Sequence, residues 1–209
     1  MQTGQESEDD ANPRIWGGTT LFERREARRA ALLEAALDLI GEAGASGVTM
    51  RAVCRKANLI DRYFYESFAS RDELLDMLYR RIADEFLEPM TAFAATDDPS
   101  RDRKLSELLV DRVLADPRKS RLFLVEPYSS TGLGQTTIAV MPVFTRVVQD
   151  HLFAHIDDPV KRRLAAVTMA SGNAGMFSAW LNGSLRATRD QIVDHCVAML
   201  AAYRSLYRS

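Results

Sequence analysis

The stretch from Val48 to Leu75 constrains the fold of this chain most strongly, because individual residues in it mark where short helices begin and end. The Thr49 hydroxyl can accept a hydrogen bond from a free amide of a first helical turn, so a helix is predicted to begin there. Asn58 tolerates the left-handed backbone conformation in which helices end. The first predicted element is therefore a short helix between Thr49 and Asn58.

A second helix and the beginning of a third follow directly. Phe64 and Phe68 are four residues apart, so one face of a helix can carry both rings toward a core. Ser70 and Glu73 form a capping box, which predicts that a longer helix begins there. Two short helices joined by a tight turn are typical of a helix-turn-helix, although an αα-hairpin inside any helical protein gives the same pattern.

The stretch resembles the N-terminal DNA-binding domain of TetR-family transcriptional regulators, over about residues 21 to 80. The matching residues are Ala35-Ala36, Leu39-Ile40, Gly44, Gly47, Thr49, Val53, Ala57 and the pattern Tyr65-x-x-Phe68-x-Ser70-x-Asp72-x-Leu74. At two positions the residue differs from the one that is usual in the family. Asn58 stands where glycine is common, and Ile60 stands where a Ser or Thr usually caps the recognition helix. Asp61 is expected to supply that cap.

The rest of the chain shows helical periodicity without strand alternation, which predicts an all-α protein of about nine helices. Pro89 and the stretch Thr96–Ser100 are expected to end the helix that begins at Ser70, and Pro127 is expected to break the apolar segment before it. The resemblance implies an N-terminal three-helix DNA-binding domain at 21–68 and a helical effector-binding and dimerisation domain at 69–209. The polar, acidic residues 1–20 are predicted to be a disordered tail.

Charge is distributed unevenly along the chain. The formal net charge is −2, yet residues 14–71 carry a surplus of three positive charges, as phosphate binding requires. No apolar run of about 18 residues predicts a membrane span, and no signal peptide is expected. Two cysteines far apart indicate a reducing compartment. A cytoplasmic location is therefore expected.

The predicted recognition helix and its neighbours supply the candidate DNA contacts. Arg62 and Tyr63 are candidates for base contact, because arginine can pair bidentately with guanine and a tyrosine ring can contact a thymine methyl. Arg51 is expected to approach the bases from the preceding helix. Thr49, Tyr65, Ser70 and Arg71 are candidates for phosphate contact, since helix N-termini present free amides to anions.

A long helix predicted from Pro159 to about Leu185 has two different faces. Its large side chains are expected to face an apolar effector pocket across from three residues of the preceding helices. The predicted pocket residues are Phe123, Met141, Phe144, Met169, Asn173, Met176 and Trp180. Asn173 would orient the ligand by hydrogen bonding. Periodicity alone favours an ordinary core for the same residues, and it is the resemblance, with the break at Pro142, that favours a pocket.

The opposite, small face of that helix allows close approach of another helix. The resemblance implies that the last two helices pair with their copies in a homodimer. The predicted interface residues are Ser171, Gly175 and Ser178 on one helix and Val193, Val197 and Leu200 on the last. Such a stripe can also be plain core.

Other chemistries have weaker support. His151 and His155 are four residues apart, the spacing of a metal site, so a metal-sensing regulator is an alternative. The sequence has no P-loop, GxGxxG or Gly-x-Ser-x-Gly motif, so neither an enzyme nor a cofactor is expected. A helical adaptor that binds no DNA remains open. The favoured prediction is a homodimeric repressor that a small apolar effector releases from double-stranded operator DNA.

Overall fold

The computed structural model describes residues 20–94, 98–129 and 133–207, and these ranges form helices and turns without any strand. Within them the nine helices are α1 (Leu21–Ala43), α2 (Met50–Ala57), α3 (Asp61–Tyr65), α4 (Arg71–Ala94), α5 (Arg101–Ala115), α6 (Pro117–Ser120, a π-helical turn Arg121–Val125, and Glu126–Ser129), α7 (Gly134–Val147, continuing as the π-helical Val148–Leu152), α8 (Pro159–Leu181) and α9 (Arg189–Leu206). The all-α prediction is confirmed. We call α1–α3 the head and α4–α9 the body.

The helix boundaries in the head follow the predicted caps with one exception. Thr49 Oγ1 accepts a hydrogen bond from the amide three residues later at 3.2 Å, and Asn58 ends α2 with φ of 53°. The prediction that Asp61 caps α3 is wrong, because Ile60 occupies the N-cap position and Asp61 is the first helical residue. The Asp61 carboxylate instead lies against the Cys54 thiol, whose pKa is raised by burial and by this neighbour.

The two prolines predicted to end helices lie inside them. Pro89 lies in α4, which continues to Ala94 because Met90 and Phe93 pack against a hydrophobic cluster of the body. Pro127 lies in the last segment of α6. A proline removes one backbone hydrogen bond from a helix. Burial of the neighbouring apolar side chains outweighs that loss here.

Two clusters of buried apolar residues hold the helices together. The larger runs from Leu32 of α1 to Cys196 of α9 and crosses the predicted domain boundary at residue 68. The smaller surrounds Phe153, which is fully buried where α5, α7, α8 and α9 meet. The head therefore packs on the body through a continuous apolar core.

Thr20, predicted to belong to the N-terminal tail, is the N-cap of α1. Its hydroxyl accepts from the Glu23 amide at 3.1 Å, and the Glu23 carboxylate accepts from the Thr20 amide at 2.6 Å. The rest of the predicted tail, residues 1–19, lies outside the described residues. None of the helices in the described ranges is long and apolar enough to cross a membrane.

Candidate nucleic-acid interface and effector cavity

Arginines of α1 fix the position of α3. Arg25 Nη2 donates to the backbone carbonyl of Glu66 at 2.8 Å, just beyond the end of α3. The Arg28 guanidinium lies 4.4 Å from the centroid of the Tyr63 ring and 3.7 Å from the Glu66 carboxylate. A helix of five residues is too short to be stable alone, so these contacts hold α3 in place. They also leave the Tyr63 ring only partly exposed.

The two sides of α3 differ sharply in exposure. Phe64 and Phe68 are each 1% exposed, and their ring centroids lie 5.8 Å apart in the core of the head. Ile60 and Tyr65 are 62% and 61% exposed. The outward side of α3 therefore presents an apolar and an aromatic side chain together with Arg62.

Arg62 has a weak partner, whereas two arginines of α2 have none among the described residues. Arg62 Nε donates to Glu66 Oε1 at 2.8 Å, but the Arg62 side chain is 79% exposed. An ion pair this exposed contributes little, so the guanidinium can exchange Glu66 for a base. Arg51 and Arg55 are exposed. These three side chains are the available cations of the interface.

The hydroxyl groups at two helix starts keep a free donor. Thr49 and Ser70 each accept from the amide three residues later, Ser70 from Glu73 at 3.1 Å. The O–H of each is thereby left to donate to another acceptor. The Glu73 carboxylate accepts from the Ala69 amide at 2.5 Å, one residue earlier than the predicted capping box requires.

The side chain of Arg71, a predicted phosphate contact, is turned into the head. Its Nε donates to the carbonyl of Val48 and its Nη2 to the carbonyl of Ala45, each at 2.6 Å, and Nη1 pairs with Asp72 at 2.8 Å. Arg71 therefore ties the start of α4 to the turn between α1 and α2. The predicted phosphate contact depends on the free amides of this helix start, so it stays a prediction, while the guanidinium stabilises the fold.

A cavity of about 90 Å³ lies in the body between α4, α5, α6, α7 and α8. The lining consists of Tyr79, Phe86, Met90, Leu109, Val113, Phe123, Leu124, Pro127, Tyr128, Thr137, Val140, Met141, Phe144, Val148, Ala170, Asn173, Ala174 and Phe177. No lining side chain is charged at neutral pH. The cavity can therefore accept apolar groups but offers no counter-ion.

Four of the seven predicted effector residues line this cavity and three do not. The four that line it are Phe123, Met141, Phe144 and Asn173. Met169 packs in the smaller cluster, Met176 packs against the larger one, and Trp180 Nε1 donates to the carbonyl of Ala187 at 2.8 Å. At 100° per residue, the lining face of α8 lies about 80° around the helix from the predicted face.

Of the four polar side chains in the lining, Tyr79 and Thr137 have partners within the protein, and Tyr128 is 65% exposed. The Tyr79 hydroxyl, whose pKa is raised by burial, lies 3.4 Å from the Phe123 carbonyl and also meets Thr137. Thr137 Oγ1 donates to the carbonyl of Leu133 at 2.9 Å. The Asn173 side chain is half-buried, and its amide has no hydrogen-bond partner in the described part of the chain.

One wall of the cavity, α6, is joined to the head through Arg118. Its Nη1 donates to Glu34 of α1 at 2.7 Å and also to Asp38. Its Nε and Nη2 bind Asp116 at 3.1 and 2.8 Å, and this pairing lowers the pKa of Asp116. Two acidic residues of the head thus share one cation of the body.

Arg121, three residues later, meets the end of α1. The last turn of α1 contains no basic residue of its own, and Arg121 Nη1 donates to the Gly41 carbonyl there at 3.1 Å. Its Nε donates to Glu126 at 3.1 Å. Gly44 ends α1 with φ of 75°, and a Cβ on it would lie 2.8 Å from Glu126 Oε1. Glycine is therefore needed there both for conformation and for space.

A second wall, α7, is joined to α4. Thr136 is 7% exposed, and its Oγ1 donates to Asp76 Oδ1 at 2.7 Å. Arg80 Nε donates to the other carboxylate oxygen at 2.9 Å, and these two bonds lower the Asp76 pKa, the Arg80 bond more strongly. Asp76 lies one turn into α4, close to the head.

The predicted interface stripe on α9 belongs to the protein's own core. Val193 and Leu200 are 1% and 5% exposed, and Val197 packs against the larger cluster, because this side of α9 lies on α5. Ser178 is likewise buried, at 7%. These four residues are not on the open surface, so the excess of apolar side chains that suggested an interface is accounted for within one chain.

The open surface of α8 and α9 lies elsewhere. Ser171 is exposed, and an added Cβ on Gly175 or Gly172 would meet no atom within 4 Å. Leu164 and Leu206 are 59% and 70% exposed. This surface of small and apolar residues is unpartnered in the single chain.

The histidine pair does not share a helical face. His151 lies in the π-helical end of α7, which stops at Leu152, and His155 lies in the turn beyond it. Both border a surface depression with Arg101 and Arg204, whose positive charges oppose a metal cation. Among the described residues, no group of three His, Cys, Asp or Glu could hold a metal ion.

Sequence reasoning missed the contacts between α6 and α1. A signal was present, because the last half of α1 carries Glu34, Asp38 and Glu42 and lacks any base. The negative end of a helix dipole next to three acids requires cations from another element. Arg118 and Arg121 of α6 and Lys56 of α2, which pairs with Glu42 at 2.5 Å, supply them.

Comparison with known proteins agrees with this architecture. Residues 32–78 match the family described as bacterial regulatory proteins, tetR family. The chain is 29% identical over 170 residues to the HTH-type transcriptional regulator BetI of Burkholderia thailandensis, which covers 77% of this chain and 84% of the relative. BetI of Burkholderia lata is 29% identical over 165 residues. These relatives are transcriptional regulators rather than enzymes.

Solved structures share the fold over most of their length. FadR from Bacillus subtilis, solved with stearoyl-CoA, has a TM-score of 0.68 at 16% identity, covering 83% of this chain and 96% of that one. A TetR-like regulator from Rhodococcus sp. RHA1 has a TM-score of 0.65 at 18% identity, covering 87% and 97%. The family match falls on the helices that build the candidate DNA interface. Residues 32–78 thus carry the TetR-family signature, and the chain is similar over most of its length to DNA-binding transcriptional regulators of that family.

Proposed function

We propose that this protein is a homodimeric repressor, acting in the cytoplasm, whose operator DNA is released when a small apolar ligand enters the body cavity. Residues 21–68 form the DNA-binding domain and residues 69–209 the ligand-binding and dimerisation domain. The observation that carries the proposal is that α6 lines the cavity with Phe123 and holds α1 of the head with Arg118.

On DNA, α3 would lie in the major groove with Arg62 against a guanine edge. Arg51 would approach from α2, and the partly exposed Tyr63 would contact a thymine methyl group. Thr49, Tyr65 and Ser70 would donate hydrogen bonds to phosphates, which orient the head without reading sequence.

Ligand entry would be transmitted because the cavity is small. A volume of about 90 Å³ is well below the roughly 300 Å³ of typical ligand sites, so a ligand must displace the walls. Displacing α6 would move Arg118 relative to Glu34 and Asp38, and displacing α7 would move Thr136 relative to Asp76. Either movement changes the separation of the two recognition helices in a dimer.

The open surface of α8 and α9 is the proposed dimer interface. Ser171 and Gly175 allow close helix approach there, while Leu164 and Leu206 provide apolar area to bury. Gly172→Arg places a charge on this surface without touching the chain's own core. Light scattering should show a dimer for the wild type and a monomer for Gly172→Arg, with the same helical content.

Fluorescence anisotropy with DNA selected from a random library tests the function itself. Tight, salt-dependent binding to a palindrome is expected, with half-sites about one helical turn apart. Equal affinity for selected and random DNA would overturn the proposal. A wild-type protein that binds its operator as a monomer would overturn the dimeric architecture.

A further inference from the structure

The lining of the cavity constrains the chemistry of the ligand beyond its being apolar. Among the described residues, eighteen line it, and none of these carries a carboxylate, an amine, a guanidinium or an imidazole. The nearby acid Glu126 is 5% exposed and is paired with Arg121 at 3.1 Å, outside the lining. A buried ion without a counter-charge is strongly unfavourable, so an ionised group is excluded from this space.

Asn173 gives the cavity a half-buried polar group that can form a hydrogen bond with a ligand. The hydroxyls of Tyr79 and Thr137 have partners within the protein, whereas the Asn173 amide has none among the described residues. An amide that borders the cavity without a protein partner has two donors and an acceptor free to bind a ligand. A ligand carrying a matching group would gain a hydrogen bond there on binding.

Asn173 is placed where a ligand group can reach it. It lies on the same face of α8 as Ala170, Ala174 and Phe177, which also line the cavity. The two alanines leave space beside the amide that larger side chains would close. The opposite wall is aromatic, with Phe123 5.1 Å from Phe86 and 5.4 Å from Phe144 between ring centroids.

We infer that the ligand is an uncharged molecule with a hydrocarbon portion and a single amide, carbonyl or hydroxyl group that hydrogen-bonds to Asn173. This inference rests on the proposed ligand response and specifies the class of ligand. Carboxylates, quaternary ammonium compounds and phosphorylated molecules are excluded from the cavity in their ionised forms.

A matched series of ten-carbon probes tests the inference with the full-length protein. Calorimetry at pH 7.5 should show binding of decanamide and 1-decanol, and at least tenfold weaker binding of decanoate and decyltrimethylammonium. Decanoate affinity should rise about tenfold for each pH unit lowered toward its carboxyl pKa, about 4–5, because only the neutral acid enters. Decanamide affinity should be flat over the same range.

Two variants assign the hydrogen bond to Asn173. Asn173→Leu should weaken decanamide binding by roughly 2–10-fold, the effect of one neutral hydrogen bond, while leaving binding of decane unchanged. Gln135→Leu, a similar change at an exposed position of α7, should alter neither. Circular dichroism confirms that each variant folds.

The outcomes separate this inference from the proposed function. If decanoate binds at pH 7.5 as tightly as decanamide and releases operator DNA, the neutral-ligand inference is wrong while the ligand response stands. If Asn173→Leu binds decanamide as well as the wild type, Asn173 is not the polar contact. If no probe binds or releases DNA, both the inference and the cavity's regulatory role are overturned.

Discussion

The head and the body both bury clusters of aromatic rings, but the clusters enclose different amounts of space. In the head, Phe64 and Phe68 fill the gap between short helices, with ring centroids 5.8 Å apart. In the body, Phe86, Phe123 and Phe144 stack at 5.1 to 5.4 Å along one side of a cavity of about 90 Å³. The head is packed to keep one shape, whereas the body keeps space that a ligand can enlarge.

This difference in packing suits DNA reading by the head and a response to a ligand by the body. Reading DNA requires side chains at fixed positions, and the contacts of Arg25, Arg28 and Arg71 fix the helices that carry them. Responding to a ligand requires walls that move. Packed interiors transmit displacement because they do not deform smoothly.

The largest expected effect contrasts one ring from each cluster. Phe64→Ala should lower the free energy of unfolding by about 3–5 kcal/mol, because a filled core loses a fully buried ring. Phe123→Ala should cost less, about 1–3 kcal/mol, since this ring is partly exposed and already borders a cavity. Urea unfolding followed by circular dichroism measures both. Equal losses would remove the contrast in packing.

The next effect separates base reading from phosphate binding within the head. Arg62→Ala should weaken operator binding by about 1–3 kcal/mol and relax the preference at one base pair. Arg55→Ala, an exposed cation on α2, should weaken operator and random DNA alike and reduce the salt slope by about one. Anisotropy titrations at several salt concentrations distinguish them. A uniform loss for Arg62→Ala would exclude it from base readout.

A third effect tests the connection between the two regions. Arg118→Ala removes the contacts of α6 with Glu34 and Asp38 and should reduce ligand–DNA coupling, which is typically about 1–3 kcal/mol. Lys104→Ala removes the ion pair with Asp98 at the start of α5 and serves as the matched control. Operator affinity is measured with and without saturating ligand. Unchanged coupling in Arg118→Ala would place the connection at Thr136 and Asp76 instead.

The smallest effect is a dependence on pH. Pairing with Arg118 lowers the pKa of Asp116 below its unfolded value of about 3.9. Its contribution is therefore present above about pH 4 and is lost as pH falls through the lower, folded value. Asp116→Asn should flatten the decrease in stability between pH 5 and 2, by about 1 kcal/mol or less, in thermal unfolding scans. An unchanged acid profile would show that the pair does not stabilise the native state.

The helices of the head could be predicted from the sequence because their boundaries depend on local capping. Thr49, Asn58 and Ser70 act within a few residues of themselves. Asp61 was misassigned because its carboxylate turns toward Cys54, a contact between helices. The partners of the Arg71 side chain could not be predicted for the same reason, since they are carbonyl groups more than twenty residues away in the sequence.

The body was harder to predict because its site depends on how helices are rotated against each other. Periodicity shows that α8 has two faces, but the face that meets the cavity depends on α4 to α7. Asn173 therefore lines the cavity, whereas Trp180 does not. The α9 stripe of Val193 and Leu200 suggested an interface because its partner, α5, could not be identified from the pattern.

The π-helical turn Arg121–Val125 has a consequence for how such a protein diversifies. Phe123 within it lines the cavity, while Arg121 at its start meets the end of α1. The residue proposed to contact the ligand and the residue that contacts the head are therefore different side chains of one short segment. Substitutions in the lining can change which compound the protein responds to while the operator sequence stays the same. Such a protein can therefore acquire a new ligand specificity without any change in its DNA site.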